Sequence, residues 1–195
     1  MLKSHKIEME YYVIPIKNHF YIKPHLLQLI ENAPAETTVD DDDAQSISRY
    51  DYNIIKQKCP YWDFLIPHID PALTIFFKNL ENVRLLSGYP GMYVSAFWFQ
   101  QYKKNNFHAW HTHCNNDYAC VYFIELPKGA SSTVFYDAND KEIKSKAKEG
   151  ELLIFPANLP HCSPINMSDE RKTVVAFNIK LDEGGSIVNQ QNGFQ

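Results

Sequence analysis

The chain changes texture near Val83. Before that point apolar residues recur three or four positions apart, the period of a helix face; beyond it they alternate with polar residues in short bursts, the period of a strand. Met9 to Ile16 reads as a strand closed by Pro15. Pro24 followed by HLLQLIENA predicts a short helix with proline in its first turn. The stretch from Asp63 to Leu80 has apolar residues at helical spacing, broken by Pro67 and Pro71, and predicts a turn followed by a helix that begins near Pro71. Between these segments, TTVDDDDAQS reads as a solvated acidic loop.

The second half predicts a succession of strands: MYVSAFWFQQY, FHAWHTH, YACVYFIEL, SSTVFYD, GELLIFP and KTVVAFNIKL. The turn-forming stretches LPKGAS, DANDK and SPINMSDE separate some of them. Regular short strands of this kind imply a mainly β domain, an antiparallel barrel or jelly roll. The expected organisation is a single domain, with residues 1–82 as a helix-containing support, 83–181 as the jelly-roll core and 182–195 as a polar tail. At 195 residues the chain is long enough for one sizeable core and short for two.

Composition narrows the function. A net charge of -4 argues against non-specific nucleic-acid binding, which needs a basic footprint. No apolar run reaches the roughly 18 residues of a membrane span, and MLKSHKIEMEYY has no apolar leader, which reads as a cytoplasmic protein. Cys59, Cys114, Cys120 and Cys162 lack C-x-x-C spacing and are expected to be reduced thiols. The number of subunits is open.

Eight histidines leave few candidates for chemistry. His5, His19, His25 and His68 have no partner at ligand spacing and read as structural or surface groups. His111 and His113 form H-x-H, which on a strand puts both rings on one face. By the same alternation His108 falls on the opposite face and reads as a group supporting the ligands or a surface residue rather than a ligand. His161 follows GELLIFP and a proline turn, at what would be the mouth of a barrel. Three imidazoles from His111, His113 and His161 can form a facial metal site with open positions, their nitrogens within about 4 Å of one another before a metal binds. Arg171 opens the last strand and shares a face with Thr173, Val175 and Phe177. That face suits a carboxylate at the rim of an apolar pocket, or else Arg171 is a surface residue.

The stretch from Trp98 to Asn178 resembles the Fe(II)/2-oxoglutarate-dependent oxygenases, closest to small oxygenases of bacteria and their phages with an H-x-H motif. The likeness is carried by WFQQY, HTH, VYF, GELLIFPANLPH, Pro164 and RKTVVAFN, in that order over about 80 residues. It implies a double-stranded β-helix with flanking helices and, as cofactors, Fe(II) and 2-oxoglutarate, with ascorbate as a possible reductant. It implies oxidative decarboxylation of 2-oxoglutarate coupled to hydroxylation of a small-molecule or peptidyl substrate. His111 and His161 match the first and distal iron ligands, Arg171 the anchor of the far carboxylate, Thr173 a hydroxyl assisting it, and Tyr122 a tyrosine on the same group. Tyr102, nine residues before His111, is a further co-substrate candidate. Most of the superfamily has H-x-D or H-x-E, so the third ligand here is either His113 or a nearby carboxylate such as Asp117; strand geometry favours His113. Two other readings stay open: a cupin-like three-histidine dioxygenase that does not use 2-oxoglutarate, and a non-catalytic metal-binding module.

Overall fold

A computed structural model describes residues 9–37, 45–51, 59–84, 91–137 and 139–182. Its elements in chain order are β1 (Tyr12–Pro15), α1 (His19–Glu31), β2 (Gln45–Ser46), β3 (Arg49–Tyr50), α2 (Pro60–Arg84), β4 (Gly91–Tyr102), β5 (Phe107–His111), β6 (Tyr118–Glu125), β7 (Val134–Tyr136), β8 (Glu142–Lys144), β9 (Glu151–Pro156), β10 (His161–Ser163) and β11 (Lys172–Asp182). They form two antiparallel sheets, a larger one in the order β1-β9-β6-β11-β4-β3 and a smaller one in the order β2-β5-β10-β7-β8. This is the jelly roll expected from the sequence, with α1 and α2 packed on the larger sheet. The first half of the chain supplies more than helices, since β1, β2 and β3 extend the edges of the sheets.

Strand alternation sorts the larger sheet into two faces. Cys120, Tyr122 and Ile124 of β6, Leu152 and Ile154 of β9, and Val175, Phe177 and Ile179 of β11 pack under the helices. Their neighbours Ala119, Phe123, Leu153, Phe155 and Val174 face inward toward the smaller sheet. Both faces are apolar because both are covered.

Both helices overrun their predicted starts. α1 begins at His19, so Pro24 lies inside it rather than in its first turn, and α2 begins at Pro60 and runs through both Pro67 and Pro71. A proline inside a helix removes a hydrogen bond and costs roughly 3 kcal/mol. Packing offsets it: Tyr61, Leu65, Ile69, Leu73, Phe76 and Leu80 form one buried stripe on α2, while Pro67 and Pro71 sit exposed on the opposite side. Ile22, Leu26 and Ile30 do the same for α1. The N-terminal strand is shorter than the predicted Met9–Ile16, and β8 and β10 were not legible as strands. Most of the acidic run and the tail beyond 182 lie outside the described residues. All four cysteines are free thiols. Among the described residues no helix is long and apolar enough to cross a membrane.

Candidate metal centre and its pocket

The paired ends of β5 and β10 build the site. His161 sits opposite His111 in the ladder, so the two rings meet across it with centroids 4.3 Å apart. β5 ends at His111, and His113 lies in the turn beyond, where its backbone N–H donates to the Ala157 carbonyl at 2.8 Å. That bond, rather than continued strand alternation, brings the His113 ring to 5.1 Å from each of the other two. One ligand nitrogen from each of His111, His113 and His161 lies within 4.8 Å of the others, slightly wider than the spacing expected from the sequence. Asp117 points elsewhere: its carboxylate accepts the Leu181 N–H at 2.8 Å.

The imidazoles are prepared as neutral donors. Nδ1 of His111 contacts the Ala109 carbonyl at 2.7 Å, and Nδ1 of His161 contacts that of Leu159 at 2.9 Å. A carbonyl can only accept, so each Nδ1 carries the hydrogen and each Nε2 presents a lone pair. Burial holds His111 below its ordinary value, lowers His113 to about 4 with help from His111, and lowers His161 to about 3 with help from the neighbouring imidazoles. Such groups need no deprotonation at neutral pH before binding a metal.

The three rings stand in a cleft of about 410 Å³, its open mouth included, between the two sheets. Among the described residues that line it there is no carboxylate. The cation inside it is Lys172, 2% exposed, whose ammonium donates to the Ser131 carbonyl and to Ser163 Oγ, both at 2.8 Å. It lies 5.2 Å over the Tyr102 ring and 5.7 Å over that of Phe123. Burial brings its pKa from 10.5 down to about 7.

The predicted co-substrate residues divide between the two faces. Tyr102 lines the cleft, but Arg171, Thr173 and Tyr122 do not. The expected shared face of Arg171, Thr173, Val175 and Phe177 exists, but it is the face under the helices. There Arg171 Nε and Nη2 donate to the two oxygens of Glu125 at 2.9 and 3.3 Å, and Nη1 donates to Glu31. Thr173 donates to the same Glu125 carboxylate. The Tyr122 hydroxyl pairs with Nδ1 of His19 at 2.6 Å, and the other nitrogen of His19 lies 3.6 Å from Glu149. The guanidinium expected to anchor a carboxylate is held here by two carboxylates of the chain itself, and the next residue, Lys172, faces the cleft.

His108 lines the cleft instead of falling on the opposite face as alternation predicts. β5 takes three residue steps, His108 to His111, where β10 takes two, His161 to Ser163. This bulge restores His108 to the side of His111, with ring centroids 4.0 Å apart and planes at 21°. For Lys172 a signal was present. Val175, Phe177 and Ile179 mark the packed face of β11, whereas the small Ala176 shares the Lys172 face and leaves room for a cavity.

No family model and no curated protein matches the sequence. Solved structures do match the fold. A prolyl-4-hydroxylase from Pseudomonas putida superposes with a TM-score of 0.60 at 10% identity, over 88% of this chain and 93% of that one. A 2OG-Fe(II) oxygenase family oxidoreductase from Burkholderia pseudomallei gives 0.65 at 11% identity, over 89% and 88%. The epimerase SnoN of nogalamycin biosynthesis, solved with Fe3+, α-ketoglutarate and nogalamycin RO, gives 0.67 at 9% identity, over 96% and 88%. At these identities the likeness is one of fold.

Proposed function

We propose that this chain is an Fe(II)- and 2-oxoglutarate-dependent dioxygenase that hydroxylates a small-molecule or peptidyl substrate. The observation that carries the reading is one cleft holding three convergent neutral imidazoles and, beside them, one buried ammonium. The donor set fits a first-row divalent metal: His111 and His161 have their Nε2 lone pairs fixed by backbone carbonyls, and three protein ligands leave positions open. The engagement of Asp117 with Leu181 supports His113 as the third ligand.

Such a metal with 2-oxoglutarate and oxygen supplies decarboxylation of the keto acid to succinate coupled to hydroxylation of a second substrate. The chain's own part is to bind and orient. Ser163 lies two residues along β10 from His161, roughly 6–7 Å on a strand, and it carries the Lys172 ammonium. A five-carbon dicarboxylate held by its keto-acid end at the imidazoles would present its far carboxylate to that ammonium. Ser131 and Ser163 take two of the three ammonium hydrogens, and the third suits the incoming anion. Tyr102, Phe123 and Val174 wall the cleft and limit water around the bound charge.

The test is a screen for substrate-stimulated decarboxylation of 2-oxoglutarate with Fe(II) and ascorbate. Succinate above background supports the oxygenase and excludes a non-catalytic module. A second reading is favoured by the absence of a carboxylate from the donor set: a three-histidine dioxygenase in which Lys172 grips the acid group of the substrate itself. Metal binding without anaerobic 2-oxoglutarate binding would select it.

A further inference from the structure

We infer that His108 is a positioning residue that fixes the ring plane of His111, and that the β5 bulge serves this purpose. The functional consequence rests on the metal-site reading above. A regular β5 would turn His108 away from the cleft; the extra residue turns it in. The same three-residue step carries the Ala109 carbonyl that holds Nδ1 of His111 at 2.7 Å. His111 is thus held along its edge by a carbonyl and across its face by a near-parallel imidazole at 4.0 Å. His108 is itself tied to the opposite sheet, where the Gln100 side chain on β4 meets its Nδ1 at 3.3 Å. The stack bridges both sheets to the ligand.

His108 does not belong to the cluster of convergent nitrogens. The in-plane lone pairs of two stacked rings run side by side rather than toward one point, so a fourth ligand is not its role. A wall is. Without it, rotation of His111 about its Cβ–Cγ bond would swing the ring off the axis that aims Nε2 at the other two nitrogens. Partners that orient a ligating histidine are worth 10- to 100-fold in metal affinity.

The experiment compares His108→Ala, His108→Leu and His108→Phe. Phe keeps a flat ring against His111, Leu fills the volume without one, and Ala opens a gap. In the metal-free protein, nitrogen-15 NMR of the imidazoles should show His111 locked with hydrogen on Nδ1 in the wild type and in the Phe variant. The signals should be averaged in the Leu and Ala variants. Titration with Co(II) should show affinity reduced about tenfold in Leu and Ala and within about threefold of wild type in Phe. Equal behaviour of Leu and Phe, or an unchanged His111 signal in either Leu or Ala, would overturn the inference. Should Ala fail to fold, the Leu–Phe pair decides alone. Should the wild type bind no Co(II), the metal-site reading falls, and the NMR arm still decides whether His108 fixes His111.

Discussion

Replacing Lys172 with methionine should separate binding from stability. The ammonium is 2% exposed, and burial lowers its pKa from 10.5 to about 7. At about 1.36 kcal/mol per pH unit, the fold disfavours the charged form by roughly 5 kcal/mol relative to water. The sign follows from the depression. The penalty is absent above 10.5, grows as pH falls toward 7, and is fully present below that. Methionine removes it and keeps the length of the side chain, but leaves the Ser131 carbonyl and Ser163 hydroxyl short of a donor, about 1–3 kcal/mol each. Lys172→Met is therefore expected to fall between about 1 kcal/mol less and about 3 kcal/mol more stable than wild type by urea denaturation at pH 7. Its 2-oxoglutarate binding should nonetheless collapse, because a buried carboxylate left without a partner costs about 3–5 kcal/mol, or two to more than three orders of magnitude in Kd. The assay is anaerobic calorimetric titration of the Co(II)-loaded protein. Arg171→Met is the control: it removes the guanidinium from Glu125, which keeps the Thr173 hydroxyl, and from the half-exposed Glu31, which keeps Arg49 and Gln101, and should cost about 1–3 kcal/mol of stability, mostly through Glu125. It should leave 2-oxoglutarate affinity within about twofold. If the two variants behave the other way round, the anchor is Arg171 and the reasoning from the strand faces is wrong.

Three further outcomes follow. The Kd for 2-oxoglutarate should be flat below pH 7 and weaken above it by up to about tenfold per unit, because the free amine has lost its proton there and must regain it on binding; a flat profile to pH 9 would contradict this. His111→Ala and His161→Ala should each abolish detectable Co(II) binding, while Asp117→Asn should keep it and lose roughly 1–2 kcal/mol of stability through its bond to Leu181; the reverse would make Asp117 the ligand. Gly150→Ala should destabilise by about 1–3 kcal/mol in thermal or urea unfolding, since φ there is +84° and a Cβ would come within 2.9 Å of the His19 ring; an unchanged midpoint would show that α1 can shift to accept it.

The jelly roll was readable because both sheet faces follow a period of two and the turns between strands are rich in Gly, Pro, Asn and Asp. The three histidines were readable because their spacing has few structural explanations. Two things were not. The helices run through Pro24, Pro67 and Pro71, where local chemistry argues for a break and only the buried stripe argues for continuity. The second is the sense of each face. Alternation on β11 correctly grouped Arg171 with Thr173, but grouping does not say which side is the pocket, and that depends on where two distant helices pack. His108 failed for a related reason: a bulge breaks the parity that the reading relied on, and β5 has no glycine or proline to announce it.

The missing carboxylate has a thermodynamic consequence. Three neutral imidazoles donate electrons but no charge, so a divalent ion seated among them would keep both its charges in a cleft whose only other formal charge, among the described residues, is the Lys172 ammonium. Alone, that ion is poorly compensated, and so is the lysine. A dicarboxylate would bring two negative charges, one for each cation. Metal and dianion should therefore bind as a linked pair, each raising the affinity of the other by the same factor, as reciprocity requires. A protein of this kind would hold its metal loosely between turnovers and firmly once co-substrate is present, so that the supply of a small metabolite decides when the centre is assembled.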